Sequence, residues 1–414
     1  MTLSQELTWR GLVNQTTFKD LSALDGKPLT FYWGVDPSAD SMTVGNLAAA
    51  MMVRHFISHG HHAVLLVGGA TGLIGDPDGK SDERSLKTPA EIARNKQAII
   101  SQYRRLFKGE NFKIVDNLDW FKGMGYLDFL RDTGKHVPMR QMLARDFVQT
   151  RLSEHGSGIS YAEFSYVLIQ AYDFLHLYQK HAVTLQVCGS DQWGNSIAGV
   201  DLIRRKTGGE AHVFSVPLIT NQATGAKFGK SEEGAIWLDP AKTSPTEFYQ
   251  FWINLDDASV GSYLKIFTEL DKAEIAHLMS EHTKNPGQRI AQNRLAAEIT
   301  RLVHGQKSME TAKMVTEVLT GKIPIGDAGG VLSHLREEIS SVKTRSDDSI
   351  IEALTASGLA SSNTEARRLI SDNAISINGQ KVTRDRFEPG DFQNGRLLLR
   401  RGKAFRDSAL VESA

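Results

Sequence analysis

The sequence predicts an α/β protein in which a doubly wound parallel sheet is followed by an α-helical domain and a small α+β domain. Two observations lead to this prediction. Short apolar runs alternate with longer helical stretches as far as about residue 220, and strand-like runs are then missing until about residue 374. Strands that alternate with helices form parallel sheets with helices packed on both faces.

The first half of the chain contains five apolar runs bounded by Gly, Asp or Asn, which predict buried strands at 29–36, 62–69, 112–117, 183–190 and 212–219. Helical patterns separate these runs at 45–59, 88–107, 160–178 and 190–206. The stretch 118–158 has helical texture without a strand of its own, so we expect an insertion between the sheet halves. Residues 1–220 are therefore predicted to form one Rossmann-like domain.

The second half of the chain changes character twice. Apolar residues recur at helical spacing after residue 243, which predicts a helical domain within 221–325. Gly, Pro, Ser and mixed charge in 326–348 are typical of a linker. Residues 349–414 are predicted to form a small mixed domain, with helices at 350–356 and 363–372 and strands at 374–377, 381–382 and 396–400.

Composition excludes several classes of protein. Of 414 residues 41% are hydrophobic, and 48 basic residues balance 48 acidic ones, so no overall charge attracts the chain to nucleic acid or membrane. The single cysteine, Cys188, excludes a disulfide framework and a multi-cysteine metal site. No metal site is expected at His61 and His62, which lack ligand partners at the right spacing. Short apolar stretches and an N-terminus without a signal-like segment predict a cytoplasmic protein without a membrane span.

The first candidate binding segment follows the strand at 29–36. Ser38, Thr43 and Asn46 are small polar residues that donate hydrogen bonds to phosphate, and Gly45 allows a ligand to approach the backbone. Helix N-termini at strand ends also bind anions. The alternative is that Thr43 only caps a helix, and this segment alone favours that alternative.

A glycine-rich loop follows the next strand and runs from Val67 into a basic stretch. Its Asp76 is suited to an ammonium group, whereas Lys80 and Arg84 are suited to phosphates. Glycines alone are weak evidence for a ligand-binding loop, because they often mark only turns. A solvated basic loop explains this segment equally well.

The helix predicted at 160–178 carries a polar stripe on an otherwise apolar surface. Tyr166, Gln170 and Asp173 are spaced i, i+4 and i+7, so they share one face. A helix that is apolar nearly all round is buried. We therefore expect the stripe to line an internal cavity, rather than to form a purely structural hydrogen-bond network.

Two further segments fit a nucleotide and a small amine or carboxylate. Gly189, Asp191 and Gln192 lie at another strand-to-helix corner, where Ser190 also caps the following helix. Lys227, Lys230 and Ser231 form a K-x-x-K-S pattern that suits a polyphosphate whose charge grows during transfer. The K-x-x-K-S pattern by itself is common on solvated surface loops.

The C-terminal stretch 366–406 holds ten Lys or Arg against four Asp or Glu, a net charge of +6 in a neutral chain. Local positive charge of this size is typical of binding to a phosphate backbone. A solvated basic face is the alternative. The candidate contacts are Arg367, Arg368, Lys381, Arg400 and Arg401.

In chain order these segments resemble the bacterial-type tyrosyl-tRNA synthetases, a family of class I aminoacyl-tRNA ligases. The resemblance spans almost the whole chain and is carried by WRGLVNQTT, LVGGATGLIGDP, EFSYVLIQAYDFL, GSDQWGN, KFGKS, IWLD and FYQFWIN. In the last domain, EARRLISDNAISINGQKV resembles an αL-type RNA-binding module.

The resemblance implies roles for the amino-acid pocket. Tyr32 and Asp173 would bind the phenolic hydroxyl of L-tyrosine, and Gln192 would lie near its carboxylate. Asp76, Tyr166 and Gln170 would bind its ammonium group. The residues that would shape the ATP and adenylate pocket are Gly34, Asp36, Ser38, Gly45, Gly189, Asp191 and Lys230.

The resemblance also implies a phosphate site and partners. Thr43 and Asn46 occupy a HIGH-type signature without either histidine, while Lys227, Lys230 and Ser231 occupy a KMSKS-type signature. The substrates would be ATP, with Mg²⁺, L-tyrosine and tRNA(Tyr), and 118–158 would form a homodimer interface. Two alternatives remain open: a paralogue that acts as an RNA-binding or splicing factor, and a small-molecule adenylyltransferase.

Overall fold

The computed structural model describes residues 1–77, 86–220, 228–231, 234–402 and 407–413. The chain divides into two compact units, Met1–Asp239 with Asp256–Ala291, and Pro240–Leu255 with Gln292–Ala414. Within the described ranges, every helix falls short of the length and apolar character that a membrane span requires.

The first part of the chain contains the α-helices α1 (Leu3–Arg10), α2 (Val44–Ser58), α3 (Thr71–Ile74), α4 (Pro89–Leu106), α5 (Leu118–Phe121), α6 (Tyr126–Asp132), α7 (Met139–Leu143), α8 (Asp146–Leu152), α9 (Tyr161–His181) and α10 (Trp193–Thr207). The later helices are α11 (Pro245–Ile253), α12 (Val260–Phe267), α13 (Lys272–Lys284), α14 (Ile290–His304), α15 (Gln306–Leu319), α16 (Leu332–Glu338), α17 (Ile350–Ala356) and α18 (Asn363–Ser371).

The strands are β1 (Gln15–Thr16), β2 (Thr30–Val35), β3 (His62–Val67), β4 (Phe112–Asp116), β5 (Leu185–Gly189), β6 (His212–Val216), β7 (Lys230–Ser231), β8 (Gly234–Ala235), β9 (Ser340–Thr344), β10 (Ile375–Ile377), β11 (Gln380–Lys381), β12 (Arg396–Arg401) and β13 (Ser408–Ser413). One sheet has the order β1-β6-β5-β2-β3-β4, in which β1 is antiparallel to β6 and the other neighbours are parallel. The predicted doubly wound fold class is confirmed.

Alternating side chains of β2 face two different helical layers. Phe31 packs on Phe56 of α2 with ring centroids 5.1 Å apart, and Trp33 packs on Tyr103 of α4 at 5.5 Å. Tyr32, between them in sequence, packs on Phe174 of α9 at 5.2 Å. Because successive strand residues point to opposite faces, this alternation places helices on both sides of the sheet.

Several helices begin where short capping motifs occur in the sequence. Thr88 and Glu91 form a reciprocal capping box at α4, and Asp271 and Glu274 form one at α13. Each pair satisfies backbone N–H groups that the first helical turn leaves without a partner. The local sequence therefore fixes where these helices begin.

The stretch 326–348, which the sequence predicts to be a linker, is folded. It holds part of a 3-10 turn at Ile325–Val331, then α16 and β9. β9 pairs in parallel with β13, and Leu335 is buried in a core cluster with Leu398 and Leu410. The sequence Ser340–Thr344 is too polar to show a strand pattern, and its strand partner lies more than 60 residues away in the chain. Neither the strand nor its pairing can be recognised from a short stretch of sequence.

The helical stretch predicted within 221–325 is divided between the two units. α12 and α13 belong to the first unit, whereas α11 and α15 belong to the second and pack on each other. Helical spacing identifies an apolar face but not the surface that covers it, so a single helical domain was the wrong expectation here. Residues 118–158 form α5 to α8 with a 3-10 turn at Gly134–His136, in agreement with their helical texture.

Arg10 joins α1 to the last turn of α12 and to the segment that follows it within the first unit. Only 3% of Arg10 is exposed. Its guanidinium donates to the carbonyl oxygens of Lys265, Thr268 and Leu270 at 2.8–3.0 Å and pairs with Glu6 at 2.8 Å. Backbone oxygens at the end of α12 and just beyond it thus obtain donors from one buried side chain.

We expect Arg10→Met to lower the free energy of unfolding by about 3 kcal/mol, because buried acceptors and the Glu6 carboxylate would lose their donor. Urea denaturation followed by tryptophan fluorescence measures this loss. Arg204→Met is the matched control, since the Arg204 side chain is 67% exposed and pairs only with nearby Asp201 on α10 among the contacts described for it. Equal losses in the two variants would contradict the role given to Arg10.

Candidate functional site

The carboxyl ends of the parallel strands surround a cavity of about 380 Å³ in the first unit. In a doubly wound sheet this edge is where ligands bind. The structure brings the following predicted site residues to the cavity wall: Tyr32, Gly34, Asp36, Ser38, Thr43, Gly45, Asn46, Asp76, Tyr166, Gln170, Asp173, Gly189, Asp191 and Gln192.

Other predicted residues are not placed at the cavity. Lys80, Arg84 and Lys227 lie outside the described residues. Lys230 and Ser231 form β7, and only their backbone is described. The five predicted basic contacts of the C-terminal domain belong to the second unit.

Asp173 is a buried carboxylate held by two donors. It is 2% exposed, and its oxygens accept from Asn117 Nδ2 at 3.1 Å and from Trp120 Nε1 at 2.9 Å. Burial raises the pKa of the Asp173 carboxyl well above its usual value, while the two donors act in the opposite direction. The same carboxylate contributes, after burial itself, to a raised pKa for the Tyr32 phenol. Both groups are buried and line the cavity.

A second, partly buried network surrounds Asp36 at the end of β2. Asp36 accepts from Thr71 Oγ1 at 2.6 Å and from the Tyr166 hydroxyl at 2.7 Å. A Cβ atom at Gly68 would lie 2.0 Å from Asp36 Oδ1, so only glycine allows this loop to pass so closely. Burial and the nearby carboxylates raise the pKa of Tyr166, which keeps its hydroxyl protonated as a donor.

A third network lies where α10 begins. Gln192 Nε2 donates to Asp76 Oδ2, and Asn195 Nδ2 donates to Gln192 Oε1 at 3.1 Å. Both Asp76 and Gln192 line the cavity. Asp36, Asp76 and Asp191 thus add carboxylates to the cavity wall, which suits a cationic group such as an ammonium ion.

The turn at the start of α2 forms another part of the cavity wall. Asn46 Oδ1 accepts from the Thr43 backbone N–H at 3.0 Å and from Thr43 Oγ1 at 3.3 Å. Because the amide oxygen is used inside the turn, the amide NH₂ of Asn46 is left to donate elsewhere. Gly229, with φ +86°, packs so closely that a Cβ atom there would lie 3.1 Å from the Gly45 nitrogen. The segment around β7 therefore borders this turn.

Three polar atoms at the cavity wall have no hydrogen-bond partner among the described residues. They are the Tyr32 hydroxyl and the Oε1 atoms of Gln170 and Gln186. Buried polar atoms are nearly always paired, and a lost pair costs about 1–3 kcal/mol. Unpaired atoms that face a cavity are suited to a polar ligand.

The residues that hold these carboxylates in position were not predicted from the sequence. Asn117 donates to Asp173 and also, at 3.0 Å, to Thr71, so it links two of the networks. Asn117 directly follows β4, and the rule that ligands bind at strand ends would have identified it. Trp120 has no comparable signal, because its role depends on how α5 lies against α9.

Trp33 also lines the cavity, yet only 4% of the residue is exposed. It packs against Tyr103 at 5.5 Å and Phe107 at 6.3 Å. The indole therefore fills the space between β2 and α4, which explains a large residue at this position.

The C-terminal basic residues differ in exposure and in their contacts. Arg367, Arg368 and Lys381 are exposed, whereas Arg400 and Arg401 are partly buried. Arg400 donates to Ser408 Oγ at 3.1 Å, and Arg401 donates to the Leu359 carbonyl at 3.0 Å. Lys381 and Arg400 are both paired with Ser376 across neighbouring strands, which places them on one face of the sheet.

Comparison with known proteins gives consistent matches. The family of tRNA synthetases class I (W and Y) matches residues 24–320, and the SYY-like C-terminal domain of tyrosine–tRNA ligase matches residues 332–405. Tyrosine–tRNA ligase of Latilactobacillus sakei is 43% identical over 96% of both chains. That of Bacillus caldotenax is 46% identical over 92% of both chains.

Solved structures agree with these matches. A C-terminally truncated mitochondrial tyrosyl-tRNA synthetase of Aspergillus nidulans is 31% identical, with a TM-score of 0.69 over 77% of this chain and 94% of that one. Tyrosyl-tRNA synthetase of Archaeoglobus fulgidus, complexed with L-tyrosine, is 16% identical with a TM-score of 0.55 over 74% of this chain and 99% of that one. The latter likeness supports the fold.

The buried Asp173 carboxyl predicts a pH-dependent stability. In the folded state it holds its proton to a pH above 3.8, near which it titrates when unfolded, so folding loses stability as pH rises above about 4. We expect the free energy of unfolding of Asp173→Asn, relative to the unchanged protein, to increase with pH in this range. The increase is about 1.4 kcal/mol for each unit by which the pKa is raised.

Chemical denaturation between pH 4 and pH 8 measures this difference. Asp128→Asn is the control, because the Asp128 side chain is 63% exposed. If the free energies of unfolding of Asp173→Asn and of the unchanged protein changed with pH in parallel, the buried carboxyl would not destabilise the folded state as pH rises.

Proposed function

The chain belongs to the class I tRNA synthetases of the tryptophan and tyrosine group, and we propose that its cavity holds tyrosine and ATP side by side. Its activity is tyrosine–tRNA ligation, the activity named for relatives that match nearly its full length. The observation that supports this site best is one cavity that gathers residues from four distant segments of the chain.

We propose that the tyrosine ring enters the end of the cavity formed by Tyr32 and Asp173. The Tyr32 hydroxyl lacks a partner among the described residues, and Asp173 is oriented by two donors. A phenolic hydroxyl would form hydrogen bonds with both side chains. A phenylalanine ring would leave them unpaired, which disfavours that substrate.

The ammonium group of the substrate is assigned to Asp76, Tyr166 and Gln170, and its carboxylate to the neighbourhood of Gln192. The surrounding carboxylates favour a cation at this position, and the unpaired Gln170 oxygen accepts from an ammonium donor. Gln192 is already oriented by its bonds to Asp76 and Asn195. The tyrosine carboxylate then points towards the nucleotide half of the cavity.

The nucleotide half is assigned to residues with little side-chain bulk or with oxygen atoms suited to ribose. These residues are Gly34, Asp36, Ser38, Gly45, Gly189 and Asp191. A Cβ atom at Gly189 would lie 2.6 Å from Asp191 Oδ1, so a larger residue would displace that carboxylate.

The β- and γ-phosphates of ATP are assigned to Thr43 and Asn46, with Lys230 and Ser231 on the adjoining segment. The Asn46 NH₂ group replaces one imidazole donor of a HIGH-type signature. Lys80, Arg84 and Lys227 lie outside the described residues, and their assignment to pyrophosphate rests on the resemblance of their segments.

The reaction proceeds in two steps. The tyrosine carboxylate attacks the α-phosphorus of ATP and releases pyrophosphate, and the terminal ribose hydroxyl of the tRNA then takes the tyrosyl group from the adenylate. The substrate supplies the nucleophile, so the protein contributes positioning and stabilisation of the charge that develops on the phosphates.

Mg²⁺ is proposed as a companion of ATP. In the part of the chain that the structure describes, no group of three or more His, Cys, Asp or Glu is arranged to hold a metal ion. The ion would therefore be bound mainly by the phosphates, whose negative charge it reduces.

We further propose a homodimer that forms through residues 118–158 and works in the cytoplasm. Large apolar side chains are exposed along this segment and at the start of α9, at Tyr126, Leu127, Met139, Leu152 and Tyr161. Exposed apolar side chains clustered along one segment are typical of protein interfaces. The alternative of an RNA-binding or splicing factor without ligase activity finds no support among the named relatives.

ATP–pyrophosphate exchange with each of the twenty amino acids tests the activity. We expect exchange with tyrosine, loss of it in Asp173→Ala, and a preference over phenylalanine that falls about tenfold in Tyr32→Phe. Glu210→Ala, with a carboxylate that is 85% exposed and lies outside 118–158, is the control. Unchanged discrimination in both pocket variants would rule out the assignment of the ring.

The tRNA contacts are tested separately by Arg367→Gln combined with Arg368→Gln, two exposed positions on α18. We expect weaker tRNA binding and a slope of log affinity against log salt reduced by about 1–2, with tyrosine-dependent exchange unaffected. Lys284→Gln, a 67% exposed position on α13, is the control. A salt slope equal to that of the control variant would exclude these two arginines.

A further inference from the structure

Arg145 lies outside the cavity that holds the substrates, immediately before α8 in the segment 118–158. It is half-buried, and its Nη1 donates to Asn195 Oδ1 in the first turn of α10. The guanidinium lies directly over Gly194, where a Cβ atom would be 3.1 Å from Nη2 and 3.4 Å from Cζ. A side chain at position 194 would therefore push the guanidinium away by a few tenths of an ångström.

Asn195 connects Arg145 to the cavity through a second hydrogen bond. It is 1% exposed, and its Nδ2 donates to Gln192 Oε1 at 3.1 Å. Gln192 Nε2 in turn donates to Asp76 Oδ2. A chain of three side-chain hydrogen bonds thus leads from Arg145 to a carboxylate in the cavity wall.

The direction of this chain depends on Arg145. A guanidinium only donates, so it requires the oxygen of the Asn195 amide to face it and the NH₂ group to face Gln192. The Gln192 amide must then present its oxygen to Asn195 and its NH₂ group to Asp76. Without the guanidinium, the Asn195 amide is able to turn over and to present its oxygen to the Gln192 oxygen. Gln192 would then lose the donor that holds its amide in place beside Asp76.

We infer that Arg145 is a positioning residue for tyrosine, because it fixes the orientation of the Gln192 and Asp76 groups that receive the amino-acid end of the substrate. This inference rests on the proposed function and adds a residue from outside the cavity. Its effect concerns tyrosine and not ATP, since the chain ends at the ammonium and carboxylate side of the cavity.

The test compares Arg145→Met, Arg145→Lys and the unchanged protein by equilibrium dialysis of tyrosine and by ATP–pyrophosphate exchange. We expect Arg145→Met to weaken tyrosine binding and raise its KM about tenfold, with the KM for ATP and the thermal unfolding midpoint unchanged. Arg145→Lys keeps a donor and should restore most of the affinity. Arg204→Met, on the exposed side of α10, is the matched control.

A double variant distinguishes an effect transmitted through the hydrogen-bond chain from a local packing effect at Arg145. Asn195→Ala should weaken tyrosine binding by itself, and Arg145→Met added to it should cause no further loss, because the effect of Arg145 passes through Asn195. The inference would be overturned if the two losses of tyrosine affinity multiplied in the double variant. Equal changes in the KM values for tyrosine and ATP would also overturn it, as would a thermal unfolding midpoint that falls together with the affinity.

Dialysis separates this inference from the proposed function. An unchanged protein that binds tyrosine without catalysing exchange would contradict the activity, while the response of tyrosine binding to Arg145→Met would still decide the inference. Tyrosine binding that is equal in Arg145→Met and the unchanged protein would overturn the inference even if exchange were active.

Discussion

The buried carboxylate of Asp173 is the constraint on which the architecture of the cavity depends. An acid at 2% exposure is costly unless donors reach it, and the donors here come from the end of β4 and from α5. β4, α5 and α9 must therefore meet within hydrogen-bond distance. The same requirement supports the selectivity we propose, because the Asp173 carboxyl is held in place by the protein and the Tyr32 hydroxyl has no partner among the described residues, so both suit a substrate hydroxyl.

The parallel sheet explains how residues so distant in sequence reach one cavity. Asp36 follows β2, the Gly68 loop follows β3, Asn117 follows β4 and Gly189 ends β5. Because these strands run in parallel, their carboxyl ends form one edge, and the loops that leave it converge. Short hydrogen-bonded chains then join neighbouring loops, so the site is a connected network whose side chains are oriented by one another.

The sequence located the five long strands of this sheet and the four helices between them to within about three residues at most boundaries. Buried parallel strands are continuous apolar runs, and caps such as Thr88 with Glu91 mark helix starts, so both signals are local. The folded state of 326–348 was not predicted, because β9 is polar and depends on pairing with β13. The division of the helices between two units also escaped prediction, since periodicity does not identify a helix's partner.

By itself the sequence determined the parallel sheet, the residues at its strand ends and the polar stripe of α9, because each follows from the spacing of side chains along one segment. The tertiary structure alone decided which groups orient them. Asn117 and Trp120 at Asp173, and Arg145 at Asn195, act across 50 or more positions of the chain. Such contacts depend on how loops and helices pack in space, and no local pattern of residues records that packing.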